Sequence, residues 1–124
     1  VENPEKKSVI LVVEDAESNY LYLKAVLRKI DAEMIWVKNG QEAVETVKNN
    51  PAVNLVLMDL QMPIMNGFDA TRKIKEIRPD LPVIAQTAFV MPEDVEMAKE
   101  SGCDDFWAKP IKSKDILDKV KNFL

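Results

Sequence analysis

The sequence predicts a single α/β domain, a doubly wound five-stranded parallel sheet covered by helices on both faces. Three observations predict it. Short apolar runs alternate five times with longer segments of helical spacing. The main runs are unbroken rather than alternating with polar residues, as expected of strands buried on both sides. The chain has 124 residues, the common size of one domain. Five strand–helix repeats joined by right-handed crossovers then stack into three layers.

The strands are expected at Val9–Val13, Met34–Val37, Leu55–Met58, Val83–Ala85 and Phe106–Ala108. Between them, Tyr20, Leu23, Leu27 and Ile30 recur at offsets of three and four, the apolar stripe of a first helix. Asn39 followed three positions later by Glu42 resembles a capping box, with Ala43, Val44 and Val47 facing inward behind it. Asn66 can cap a third helix through Phe68, Ile74 and Ile77, closed by Pro79. Pro92 suits the first turn of a fourth helix, and Gly102 its end. Ser113 is the expected cap of a fifth, with Ile116, Leu117, Val120 and Leu124 facing inward. Residues 1–7 are polar, contain Pro4 and read as a linker remnant, leaving 8–124 as the domain. The first residue is Val1 rather than methionine, which suggests a segment of a longer protein.

Composition narrows the function classes. A formal charge of −4 with scattered Lys and Arg argues against direct nucleic-acid contact. No apolar run approaches the roughly 18–20 residues that span a bilayer, and no signal-peptide pattern is present, so a cytoplasmic domain without membrane contact is expected. One cysteine, Cys103, fits a reducing compartment. The chain contains no histidine, which excludes a Ser-His-Asp triad, a His-ligated zinc and a phosphohistidine of its own.

Polar residues then fall where a parallel sheet places a site, beyond the carboxyl ends of its strands. The first strand ends in Glu14-Asp15, the third in Asp59, the fourth in Gln86-Thr87 and the fifth in Lys109-Pro110. Singly, each has an ordinary explanation as a turn residue, helix cap or solvated amine. Jointly they assemble three carboxylates, a hydroxyl and an amine at one edge. Clustered carboxylates repel one another and invite a hard cation such as Mg²⁺. An ammonium and a hydroxyl supply donors for phosphoryl oxygens, and a carboxylate can act as the nucleophile.

The segment Leu57-Met58-Asp59-Leu60-Gln61-Met62-Pro63-Ile64-Met65-Asn66-Gly67 closely resembles the sequence around the phosphorylated aspartate of response-regulator receiver domains. Val12-Val13-Glu14-Asp15, Thr87-Ala88 and Lys109-Pro110 extend the resemblance from about Ser8 to Leu124. It implies a flavodoxin-like (βα)5 receiver fold with strand order 2-1-3-4-5. It implies that Asp59 accepts a phosphoryl group, with Lys109 and Thr87 binding its oxygens. Mg²⁺ would be held by Glu14, Asp15, Asp59 and the backbone carbonyl of Gln61. Thr87 and Phe106 would form the conformational switch, and Gln61 and Phe89 would border the approach of hydrolytic water. The implied partner is a phosphohistidine-bearing histidine kinase or phosphotransfer domain in a two-component phosphorelay, with an attached kinase or output domain.

Three positions depart from the commonest family pattern. Glu14 replaces an aspartate, Asn66 stands where aspartate is frequent, and Phe106 lacks the hydroxyl of the more usual tyrosine. The sequence is most similar to receivers of hybrid sensor histidine kinases, judged from Asp104-Asp105-Phe106 and Ala108-Lys109-Pro110-Ile111. Such a module catalyses its own phosphorylation and dephosphorylation while serving as a signalling switch, so its standing as an enzyme is left open. Two alternatives are a phosphatase that also uses a strand-end aspartate nucleophile and a cofactor-binding module of the same fold. A haloacid-dehalogenase-like phosphatase needs a second acid two positions after the nucleophile, where Gln61 stands. A flavodoxin-like cofactor-binding module needs a Ser/Thr/Gly-rich phosphate cradle, and the strand-end loops lack one.

Overall fold

A computed structural model describes residues 8–60, 65–87, 91–109 and 111–124. The expected linker (residues 1–7), Gln61, Phe89 and Pro110 lie outside them. Five strands, β1 (Ser8–Val13), β2 (Ala32–Val37), β3 (Val53–Asp59), β4 (Val83–Thr87) and β5 (Asp105–Ala108), form one sheet in the order β2-β1-β3-β4-β5. All four strand pairs are parallel. The helices are α1 (Glu17–Leu27), α2 (Gly40–Asn49), α3 (Gly67–Ile77), α4 (Pro92–Ser101) and α5 (Ser113–Phe123). Order and class agree with the sequence expectation.

Alternation along β1 shows why the sheet needs cover on both faces. Val9, Leu11 and Val13 pack with Ala43 and Val47 of α2 and Ala70 and Ile74 of α3. Ile10 and Val12 point the other way, against Leu23, Val26 and Leu27 of α1 and Ile116 and Val120 of α5. Every β1 residue from Val9 onward is buried, whereas β2, at the sheet edge, is at most half-buried. That difference explains why the central strands read as continuous apolar runs and β2 does not.

Helix ends follow local chemistry with instructive departures. Asn39 Oδ1 accepts from the Glu42 N–H at 2.9 Å, as a capping box requires. The Glu42 carboxylate, however, accepts from the Lys38 N–H, one residue earlier than expected. Asn66 Oδ1 caps α3 through the Asp69 N–H at 3.0 Å. Gly102 closes α4 at φ 102°, a left-handed value that favours glycine.

Ser113 does not cap α5. It is the first helical residue, and Lys112 takes the cap position without a side-chain hydrogen bond. Full burial of Ile116 and Val120 sets that helix's start and phase. Leu124, expected inward, is 44% exposed and follows the last residue of α5; Ile77, the last residue of α3, is 38% exposed. Ile30 lies in the turn after α1 rather than in the helix.

Candidate functional site

Strand register brings the chemistry together. Val13 pairs with Met58, so Glu14 follows β1 beside Asp59 at the end of β3. Asp59 pairs with Gln86, so Thr87 is the next residue along β4. Thr87 pairs with Ala108, so Lys109 is the next along β5. Backbone hydrogen bonds continue the ladders past the strand ends. Glu14 N–H donates to the Val37 carbonyl at 3.0 Å, Leu60 N–H to Gln86 at 3.0 Å, and Lys109 N–H to Thr87 at 2.7 Å. Residues distant in sequence thus share one edge without a dedicated loop.

Carboxylate oxygens of Glu14, Asp15 and Asp59 all lie within 4.8 Å of one another. Glu14 is fully buried, Asp59 nearly so, and Asp15 is exposed. Lys109 Nζ donates to Glu14 Oε1 at 2.7 Å and lies 3.3 Å from Asp59 Oδ2. Burial, reinforced by a hydrogen bond with Asp59, pushes the Glu14 carboxyl above its ordinary value, with Lys109 opposing the rise. Among the described residues, three acids face one ammonium here, an excess of two negative charges when all are ionised. Oxygen donors with that charge suit a hard divalent cation, which prefers carboxylates to softer ligands.

Close backbone packing completes the pocket floor. A Cβ on Gly67 would lie 2.3 Å from the Asp59 carbonyl oxygen and 2.7 Å from Leu60 Cα. Only glycine lets the start of α3 approach the end of β3 so closely. On the opposite flank, Thr87 and Phe106 line one narrow cleft with Leu60, Asp94, Val95 and Ala98. Phe106 is half-buried against that α4 side of the sheet. Trp107 points to the other side and is buried, its Nε1–H donating to Gln86 Oε1 at 3.2 Å.

The structure therefore gathers the predicted Glu14, Asp15, Asp59 and Lys109 into one cluster and sets Thr87 beside Phe106. Gln61 lies outside the described residues. Two contacts were not foreseen. Trp36 Nε1–H donates to the Glu14 carbonyl oxygen at 2.8 Å, and Gln86 bonds Trp107 within the sheet. Both join residues of different strands, so nothing in local spacing could announce them. Cys103 is no competing nucleophile, since burial raises its thiol pKa and keeps it protonated.

The model of the response regulator receiver domain family matches residues 10–121, nearly the whole chain. The chain belongs to that family. This receiver is 33% identical to the polar-differentiation response regulator DivK of Brucella anthropi over 118 residues, covering 93% of this chain and 94% of DivK. Its fold superposes, at TM-score 0.87 and 29% identity, on the receiver domain of the sensor histidine kinase PA1611 from Pseudomonas aeruginosa PAO1. That match covers 94% of this chain and 97% of the other, and the PA1611 receiver carries a magnesium ion in its active-site cleft. A third match, at TM-score 0.86 and 30% identity, covers 95% of this chain and 89% of its counterpart. It comes from the Saccharomyces cerevisiae complex of the histidine phosphotransfer protein Ypd1 with the receiver of its downstream response regulator Ssk1.

This receiver is accordingly a module of two-component phosphorelay signalling, and neither the phosphatase nor the flavodoxin-like alternative is favoured. Among the described residues, no helix is long and apolar enough to cross a membrane.

Proposed function

We propose that this receiver takes a phosphoryl group onto Asp59 from a phosphohistidine on a histidine kinase or phosphotransfer domain. The observation that carries this reading is a buried Asp59 carboxylate flanked at 3.3 Å by Lys109 and grouped with two further acids. A carboxylate oxygen of Asp59 attacks phosphorus in line. The phosphorus–nitrogen bond of the donor breaks, and the imidazole leaves with the bonding electron pair. Lys109 already spans Glu14 and Asp59, so its ammonium lies within reach of an oxygen of the new group. Thr87, at the end of β4, donates its hydroxyl to another.

Glu14, Asp15, Asp59 and the Gln61 carbonyl are the residues that would hold Mg²⁺. The ion's contribution when bound is to neutralise charge on the acids and on the transferred group. The magnesium of the related PA1611 receiver supports the choice of ion.

Movement of Thr87 toward the phosphoryl group opens the cleft it shares with Phe106. The ring can then turn inward and alter the surface formed by α4, β5 and α5. Phe106 has no hydroxyl, so ring packing alone conveys the change. The receiver acts from the cytoplasm on an attached kinase or output domain, preceded by a linker over residues 1–7.

The deciding experiment uses acetyl phosphate and Mg²⁺ with intact-mass detection. Wild type should gain one phosphoryl group, and Asp59→Asn, nearly isosteric, should fold and gain none. Labelling of that variant at the wild-type rate would overturn the assignment.

A further inference from the structure

Trp36 lies outside the acidic cluster, on the edge strand β2, where the phosphorylation chemistry asks for no indole. It is paired in register with Val12, two residues before Glu14. Its ring nevertheless reaches forward, toward the C-terminal edge of the sheet, to donate Nε1–H to the Glu14 carbonyl at 2.8 Å. The Glu14 N–H is held on the same strand by the Val37 carbonyl at 3.0 Å. Both peptide groups flanking the Glu14 Cα are thus tied to β2, the second only by the indole, because the backbone ladder has ended.

The indole is itself held in place. It stacks on Tyr20 of α1 at 4.3 Å between centroids and 6° between planes. Lys38 Nζ lies 5.1 Å from its centroid. Tyr20 N–H in turn donates to the Ala16 carbonyl, one residue after Asp15. The turn Glu14-Asp15-Ala16 is therefore gripped from β2 by Trp36 and runs directly into α1, whose Tyr20 ring backs the indole.

The gripped carbonyl belongs to the peptide that joins Glu14 to Asp15. Its orientation sets ψ of Glu14 and φ of Asp15, and hence the direction in which the Asp15 side chain leaves the backbone. Glu14 has Lys109 to fix its carboxylate, but Asp15 is exposed and its aim depends on the backbone. A cation such as Mg²⁺, with its strict octahedral demand, is sensitive to such aim.

We propose that Trp36 is a positioning residue for the cation site, preorganising the Glu14–Asp15 turn through its indole hydrogen bond and the Tyr20 stack. The proposal rests on the reading that these acids hold Mg²⁺. Its action is on metal affinity, with no role in phosphoryl transfer once the ion is bound.

Trp36→Phe tests this, since it removes the indole N–H, together with the fused second ring, and keeps one aromatic ring for Tyr20 to stack on. Calorimetric Mg²⁺ titration of the full chain should show affinity weakened about fivefold to tenfold, the worth of one hydrogen bond of ordinary strength. The acetyl phosphate labelling rate should half-saturate at correspondingly higher Mg²⁺ yet reach a maximum within about twofold of wild type. Tyr20→Leu, which frees the indole but keeps its N–H, should shift Mg²⁺ affinity in the same direction by less. Unchanged Mg²⁺ affinity in both variants would overturn the proposal, as would a labelling rate that saturating Mg²⁺ fails to restore. If wild type itself bound no Mg²⁺, the underlying cation reading would fall instead, and the two failures are told apart by that control.

Discussion

Replacing Lys109 by methionine removes the ammonium that faces Glu14 and Asp59 while keeping a side chain of similar reach. Glu14 and Asp59 have side-chain exposures of 0% and 4%, so neither carboxylate can turn to solvent for compensation. Removing one partner of a buried ion pair costs roughly 3–5 kcal/mol. The low end applies here, because Lys109 keeps 19% exposure and water reaches the mouth of the site. A loss of about 3 kcal/mol at pH 8 corresponds to about 10 °C in melting temperature for a domain of this size.

The loss should depend on pH with a definite sign. The Glu14 carboxyl already sits above its unfolded value through burial and Asp59, and losing Lys109 removes the influence that lowers it. Between the unfolded and folded values the folded state binds more protons, so stability falls as pH rises through that window. As pH falls through that window folded Glu14 takes up its proton ahead of the unfolded chain, so the deficit should shrink toward about 1 kcal/mol, the cost of a lost hydrogen bond and packing. Calorimetric melts of both proteins in EDTA at pH 5 and pH 8 measure this. An equal deficit at the two pH values would refute the electrostatic reasoning and assign the effect to packing alone.

Asp15→Asn should weaken Mg²⁺ binding and slow acetyl phosphate labelling. In EDTA its melting temperature should equal or exceed that of wild type, because like-charge repulsion among the acids is relieved. Gly67→Ala should cost about 2–3 kcal/mol in urea unfolding, since its Cβ would meet backbone atoms of Asp59 and Leu60 that cannot rotate aside. The same variant should label more slowly at saturating Mg²⁺, because relieving the clash displaces Asp59. With beryllofluoride as phosphoryl mimic, backbone amide shifts should extend from Asp59 through Thr87 and Phe106 to α4 and α5; shifts confined to the strand-end loops would argue against the Thr87–Phe106 route.

Much of this protein is written in its local sequence. The unbroken Val9–Val13 run calls for cover on both faces, and together with five alternations of strand and helix in a single-domain length it points to a parallel, doubly wound sheet. Asn39, Asn66, Pro92 and Gly102 mark helix ends through chemistry that acts within four residues. The acids, Thr87 and Lys109 were legible as a site because strand ends in such a sheet share one edge. Ser113 misled because a hydroxyl near a helix start is only a weak signal, and burial of Ile116 and Val120 outweighs it.

Tertiary structure alone decided what those site residues do to one another. Whether Lys109 served Glu14, Asp59 or solvent depended on register across β1, β3 and β5, and it serves both acids at once. The Trp36 bond to the Glu14 carbonyl and the Gln86–Trp107 bond likewise join side chains that meet only once the sheet has formed. The physical reason is range. Capping, turn and burial preferences are short-ranged and leave a mark on composition and spacing. The direction of such side chains is set by neighbours 21 to 95 residues away, and no local pattern encodes it.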